Sequence, residues 1–464
     1  MRGRAIRAFR ARADVQFPRP FLTMHLFTSR FRRRHAPLTA LAVLALCPRP
    51  EANAGGMALI MQNGSHLGHA YSTAAAAEDA STVYFNPAGL AFLEKGEVLA
   101  ATSYVMFDTA FTNDGSTTAG VIPTSGRNGG NAGVHKALPV AYVAYPFSKS
   151  FALGVGVSAP YGLATDYPDD WVGRYHALRS ELVTINASLA LAWKITPQLS
   201  LGFGLDRQSA DAELSNAIDV GLVGFANGIP GFAPGSADAT VRIRAKDTRS
   251  GFNAGVIYEI LAGTRFGVHY RSKMDHRLEG RARFSEVAAP FDAVFADQAV
   301  RAPLTLPDIF SVSLAHHFTP DVAVFADWSL WKWNRFRSLS IDFESPAVPD
   351  FAQAQDWENA SILSLGARWR RSERLTLRAG FALNKTPVPS PERRTARIPD
   401  SNRTWLCLGA GWQFSPEIRG ELGFAHLFMK NATIRNDDGA EHMLAGSYKS
   451  QVNILSAQLT WSYD

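Results

Sequence analysis

Cysteine is nearly absent from this chain: two in 464 residues, Cys47 and Cys407. A disulfide framework is therefore excluded as the means of holding so long a chain together. Long apolar runs are scarce as well, since after residue 54 no stretch of eighteen apolar residues occurs and no transmembrane helix is encoded. Catalytic patterns are missing: there is no Gly-x-Ser-x-Gly elbow, no His-Glu-x-x-His and no phosphate loop. His316 and His317 are adjacent on an expected strand and so point to opposite faces, while His66 and His69 have no third ligand nearby in sequence. No catalytic residue, no metal site and no cofactor is expected.

What the chain has in excess is arginine at its start. Residues 1–54 hold eleven arginines against two acids, a charge of +9, so their removal takes the formal +6 of the whole chain to −3. Within them Met24 opens a secretory signal: basic Arg30, Arg32, Arg33 and Arg34, an apolar stretch over 36–46, and Ala52-Asn53-Ala54 before Gly55. Residues 1–54 are therefore expected to be a leader, and the basic balance of the whole chain implies no nucleic-acid partner.

The remainder alternates. At the C-terminus Leu455, Ala457, Leu459, Trp461 and Tyr463 fall on one strand face, and Ser456, Gln458, Thr460 and Ser462 on the other. Similar segments are read near 97–108, 138–147, 151–159, 181–195, 199–214, 240–258, 264–283, 308–318, 322–342, 362–369, 375–384, 404–414, 418–428 and 452–463. Tight turns such as Thr196-Pro197-Gln198 and Ser415-Pro416-Glu417 alternate with long connections over 109–137, 160–180, 215–239, 284–307, 343–361, 385–403 and 429–451. That sorting predicts an all-β fold, a 14-stranded antiparallel transmembrane β-barrel over 97–464 in the Gram-negative outer membrane. Trp193, Trp328, Trp331, Trp333, Trp369, Trp405, Trp412 and Trp461 are expected at its aromatic girdles.

Ahead of the strands, residues 55–96 are small and irregular. They end in Asn86-Pro87-Ala88-Gly89, where Pro fixes φ and removes a donor while Asn and Gly favour a turn. Two long loops carry apolar side chains that water-facing loops normally avoid, Phe225, Ile229 and Phe232 in the third and Phe291 and Phe295 in the fourth. They make either a lid or a greasy landing groove.

The Asn86-Pro87-Ala88 motif, Gly64-Ser65-His66-Leu67-Gly68, Tyr161-Gly162-Leu163-Ala164-Thr165, Gly251-Phe252-Asn253-Ala254-Gly255 and Leu306-Pro307-Asp308 together resemble the FadL/TodX family of outer-membrane transporters for hydrophobic compounds. The resemblance spans 55–464. It implies an N-terminal hatch (plug) over 55–96 inside the lumen, closed at Asn86, Pro87 and Ala88, and a broken third strand opening sideways, for which Pro160 and Gly162 are candidates. Fatty-acid members hold the carboxylate with basic residues on the fifth and ninth strands, and the corresponding positions here are Asn216 and Ser340. Arg335 and Arg337, read on the ninth strand beside Trp331 and Trp333, are the candidate replacements. The function implied is passive import of a hydrophobic small molecule, most readily a long-chain fatty acid. An aromatic hydrocarbon is the alternative within the family, and a diffusion porin or a lipid-acting enzyme is the rival outside it. The expected partners are that ligand, outer-membrane lipid and lipopolysaccharide, with the chain a monomer.

Overall fold

Alternation in the sequence becomes a wall of strands in the computed structural model, which describes residues 56–464. The expected leader, with Met24 and the cleavage site, lies outside the described residues. The strands are β1 (Gly96–Asn113), β2 (His135–Pro146), β3 (Phe151–Ser158, resumed as Gly162–Asp166), β4 (Arg179–Lys194), β5 (Leu199–Asp219), β6 (Asp238–Leu261) and β7 (Thr264–Arg271 and Met274–Ser285). They continue as β8 (Gln298–Leu306 and Ile309–His317), β9 (Val322–Trp331), β10 (Ala360–Arg370), β11 (Leu375–Asn384), β12 (Arg403–Gln413), β13 (Ile418–Met429) and β14 (His442–Tyr463). Each pairs antiparallel with the next, and β1 closes the cylinder on β14 from Gly96↔Tyr463 to Asn113↔Gly446.

The burial pattern is inverted relative to a water-soluble sheet. On β14, Leu455, Leu459 and Trp461 are exposed whereas Ser456, Gln458 and Thr460 are buried. Polar side chains fill the inside and apolar ones coat the outside, as lipid outside and a polar interior require. Among the described residues no helix is long and apolar enough to cross a membrane.

Three expectations need correction. The ninth strand does not run to 342: it stops at Trp331, because Trp333–Arg335 winds into a 3-10 turn before a short strand Ser338–Phe343 resumes. The eighth strand is longer than expected, with Gln298–Leu306 recruited from the expected connection over 284–307. Of the eight girdle tryptophans, Trp193, Trp328, Trp369, Trp412 and Trp461 face outward, but Trp331, Trp333 and Trp405 are buried inside. Strand alternation sends odd positions of β9 and β12 inward, and aromatic identity alone does not decide the face.

Inside the cylinder lies the irregular N-terminal segment, with α1 (Gly64–Leu67), α2 (Thr82–Phe85) and a 3-10 turn Pro87–Phe92. A segment so poor in regular structure leaves backbone groups that must find partners elsewhere. The wall supplies them: Gln458 on β14 accepts from the Gly64 and Ser65 amides at 2.9 and 3.1 Å. The plug also presses close at Gly68 against Gly409 of β12, where neither backbone carries a side chain; a Cβ on Gly68 would stand 2.9 Å from the Gly409 Cα.

Candidate functional site

Asn86 sits where α2 ends and the 3-10 turn begins, with extended backbone (φ −166°). Its side-chain oxygen accepts from the Ala88 amide at 3.1 Å, which caps the turn opened by Pro87. Its amide group donates to the Val256 carbonyl on β6 at 3.3 Å and the Val268 carbonyl on β7 at 3.2 Å. The next contact is on β5, where Ser200 Oγ donates to the Ala88 carbonyl at 2.9 Å. The Asn-Pro-Ala motif is thus more than a local turn, since three neighbouring strands of the wall hold it. Gly202 and Gly255 make the approach possible: a Cβ at Gly202 would lie 2.1 Å from the Ala88 nitrogen, and one at Gly255 2.0 Å from Asn86 Oδ1.

The opposite end of the plug meets β3. Residues 159–161 interrupt that strand; Pro160 lies in the interruption and Gly162 begins the continuation. β2 pairs with β3 only from Ala141↔Val157 to Pro146↔Ala152, and beyond Val157 the ladder on that side lapses until the isolated bridge Gly133↔Thr165. The plug takes over. Leu59 N donates to the Pro160 carbonyl at 2.8 Å and Gly162 N to the Met57 carbonyl at 2.7 Å, while Gln62 bonds both the amide and the carbonyl of Ala159. Residues 57–62 therefore act as a short borrowed strand across a gap in the barrel wall.

Aromatic rings surround this junction. Tyr161 stands edge-on to Trp333 (6.0 Å), and Trp333 edge-on to Trp357 (5.1 Å), which also packs on Phe336 (4.9 Å). Trp331 lines a neighbouring cavity of about 60 Å³ with Ile60, Tyr84 and Phe85. A second cavity, of about 40 Å³, is lined by Gly56, Leu163, Ile398 and Met429. Both are far smaller than the roughly 300 Å³ of a typical ligand pocket.

Of the loop residues, Phe232 meets Phe291 edge-on (5.6 Å), Phe291 lies 6.4 Å from Phe295, and Ile229 packs against the same cluster; Phe225 stands apart and exposed. The arginines do not share a strand face with the tryptophans, because the turn at 333–335 separates them. Arg335 is ion-paired with Asp308, and Arg337 is exposed, with no ion pair among the described residues.

The plug also carries buried charge. Glu78 pairs with Arg368 of β10, and Asp79 accepts from Ser65, Ser81 and Gln458. Burial alone would raise the Glu78 carboxyl, but His69 and the Arg368 and Arg378 guanidinium groups hold it well below the usual range. His66 and His69 are fully buried with no hydrogen-bond partner on either ring nitrogen, and burial pushes both down. Trp357, Gln62 and Gly202 carry no motif in the sequence, and Gly255 stands there only as the end of the Gly251–Gly255 motif, with no tie to Asn86. The only signal for that tie is a repeated lumen-side glycine, Gly202 and Gly255, on adjacent strands.

The family model described as Outer membrane protein transport protein (OMPP1/FadL/TodX) matches residues 46–463. Outer membrane protein P1 of Haemophilus influenzae is 28% identical over 459 residues, which cover 91% of this chain and 98% of that protein. A long-chain fatty acid transport protein of Escherichia coli O6:H1 is 24% identical over 424 residues, covering 87% and 93% respectively. The crystal structure of a Pseudomonas aeruginosa FadL homologue aligns with a TM-score of 0.81 at 23% identity, over 89% of this chain and 100% of that one.

Proposed function

Because the chain belongs to the OMPP1/FadL/TodX family of outer-membrane transport proteins, which carry hydrophobic compounds, we propose that it imports long-chain fatty acids passively by moving its plug away from a gap in its own wall. The ligand leaves water at the apolar cluster of Ile229, Phe232, Phe291 and Phe295. It passes into the lumen beside Trp331 and Trp333, and displaces the hatch held at Asn86, Pro87 and Ala88. It then leaves sideways at Pro160 and Gly162 into the bilayer, because a greasy solute gains nothing by entering the aqueous periplasm.

The observation that carries this reading is that residues 57–62 satisfy the open backbone of residues 159–162. Plug and gap are one hydrogen-bonded unit, so moving the first unseals the second. Ala58 and Tyr161 face each other across that pairing. In an Ala58→Cys, Tyr161→Cys double variant, oxidation is expected to abolish uptake of a fluorescent fatty acid, and reduction to restore it. Full uptake by the oxidised, cross-linked barrel would refute the route.

A second reading, an aromatic hydrocarbon as cargo, is favoured by the neutralisation of Arg335 by Asp308. Arg337 is the remaining candidate for a carboxylate. Arg337→Ala should reduce oleate uptake several-fold and spare toluene if the cargo is an acid, whereas equal uptake of both would favour the hydrocarbon.

A further inference from the structure

The outer faces of β6 and β7 break a rule of sheet construction. In their pairing Arg244 lies directly opposite Arg281, and Arg242 directly opposite Arg283. Like charges facing one another across a ladder are destabilising, and here two such pairs are stacked. All four residues are exposed, while the alternate positions, Val241, Ile243, Ala245, Leu278 and Ala282, are buried in the core, so the arginines point outward. Lys246, Arg277 and Arg301 extend the patch on the same outer face.

Protein acids compensate only part of it. Glu213 of β5 pairs with both Arg242 and Arg244 (2.8 Å to the latter), and Glu279 with Arg301 at 3.7 Å. Arg277, Arg281 and Arg283 have no ion pair among the described residues. The patch therefore holds several unmatched guanidinium groups whose fork geometry suits phosphate oxygens.

Height decides which phosphates. Lower on the outward face of β6, Ile260, Tyr258, Val256 and Phe252 are exposed apolar residues and mark the lipid band. A strand rises about 3.3 Å per residue and is tilted by about 40°. Arg244 and Arg242, eight and ten residues beyond Phe252, thus stand roughly 20 and 25 Å above it. Phospholipid head groups occupy only about 5–8 Å beyond the hydrocarbon layer on each side. We propose that this patch is a docking surface for the phosphorylated saccharide of an outer-leaflet glycolipid, lipopolysaccharide, whose sugars carry phosphates above the acyl layer. The glycolipid's acyl chains lie along the apolar band of the same strand, and its phosphates bridge the facing arginines and relieve their repulsion.

The test uses the purified full chain in detergent. Its probes are lipopolysaccharide with a phosphorylated core, the same material after phosphatase treatment, and phosphatidylglycerol nanodiscs. Arg281→Ser with Arg283→Ser is expected to weaken binding of the phosphorylated form at least tenfold and to leave the phosphatase-treated form and the nanodiscs unchanged. Arg281→Glu, which would face Arg244, should move two readouts in opposite directions, raising the melting temperature without glycolipid while lowering affinity for it. The proposal is overturned if the wild type binds both glycolipid forms equally, if either variant keeps wild-type affinity, or if affinity for the nanodiscs falls as much as for the phosphorylated glycolipid.

Discussion

Replacing Asn86 by Ala removes the two side-chain bonds, to Val256 and Val268, that fasten the plug to β6 and β7, together with the cap on Ala88. The wall bonds are at the long end of the range, and each contributes about 0.5–1.5 kcal/mol net. Their joint loss weakens docking by about 1–3 kcal/mol. Since about 1.4 kcal/mol is a factor of ten, the ratio of displaced to docked plug rises roughly five- to 150-fold. A turn with no wall contact would instead change by under about 0.5 kcal/mol. Gly255 supplies an internal control. A Cβ there would fall 2.0 Å from Asn86 Oδ1, so Gly255→Ala expels the same side chain. Once Asn86 is Ala that obstacle is gone, and the two substitutions should combine with much less than the sum of their effects. Uptake of a fluorescent fatty acid by cells with equal amounts of heat-modifiable barrel, across all four members of the cycle, is the assay. Wild-type uptake by Asn86→Ala, or strict additivity with Gly255→Ala, would refute the fastening role.

Leu459→Arg, at an exposed position four residues from the end of β14, should cost about 1–2 kcal/mol, less than at the bilayer midplane, and reduce the yield of assembled barrel. Gln458→Arg should assemble normally but release the plug, because Gln458 holds Gly64, Ser65 and Asp79, and planar-bilayer conductance should rise; equal assembly defects in both would refute the facing. Docking should also depend on pH in two phases. His66 and His69 have docked pKa values below that of free histidine, so their contribution is complete above about 6.5 and is lost as pH falls below it. The depressed Glu78 and Asp79 carboxyls add a further loss below about 4.5. Conductance should rise in both windows, and His66→Gln with His69→Gln should remove the upper one alone; an upper phase unchanged in that variant would count against the assignment.

Much of the barrel was legible because two regularities needed no tertiary knowledge, alternation with a period of two and the sorting of short and long connections. β14 is the clearest example, its pattern passing directly into exposed and buried faces. The end of the ninth strand is not legible because Trp331 to Arg337 carries no Gly or Pro to announce the turn at 333–335; Arg335 of that turn is ion-paired with Asp308, which lies in the break between the two pieces of β8. Trp357 gives no signal in the sequence for the same reason. It lies in a connection, and only the folded chain sets it against Trp333. Asn86 could be singled out as a turn residue, but its wall contacts involve residues about 170 positions away.

The plug touches the wall at β3, β5, β6, β7, β10, β12 and β14, which is to say nearly all the way round. Mechanically this makes it a cross-brace. A cylinder of hydrogen-bonded strands resists stretching along its ladders far better than flattening, and internal struts at several points around the rim keep its cross-section round. Pulling out one strut lets the wall ovalise, and strain then collects where the ladder is already incomplete, between β2 and the upper part of β3.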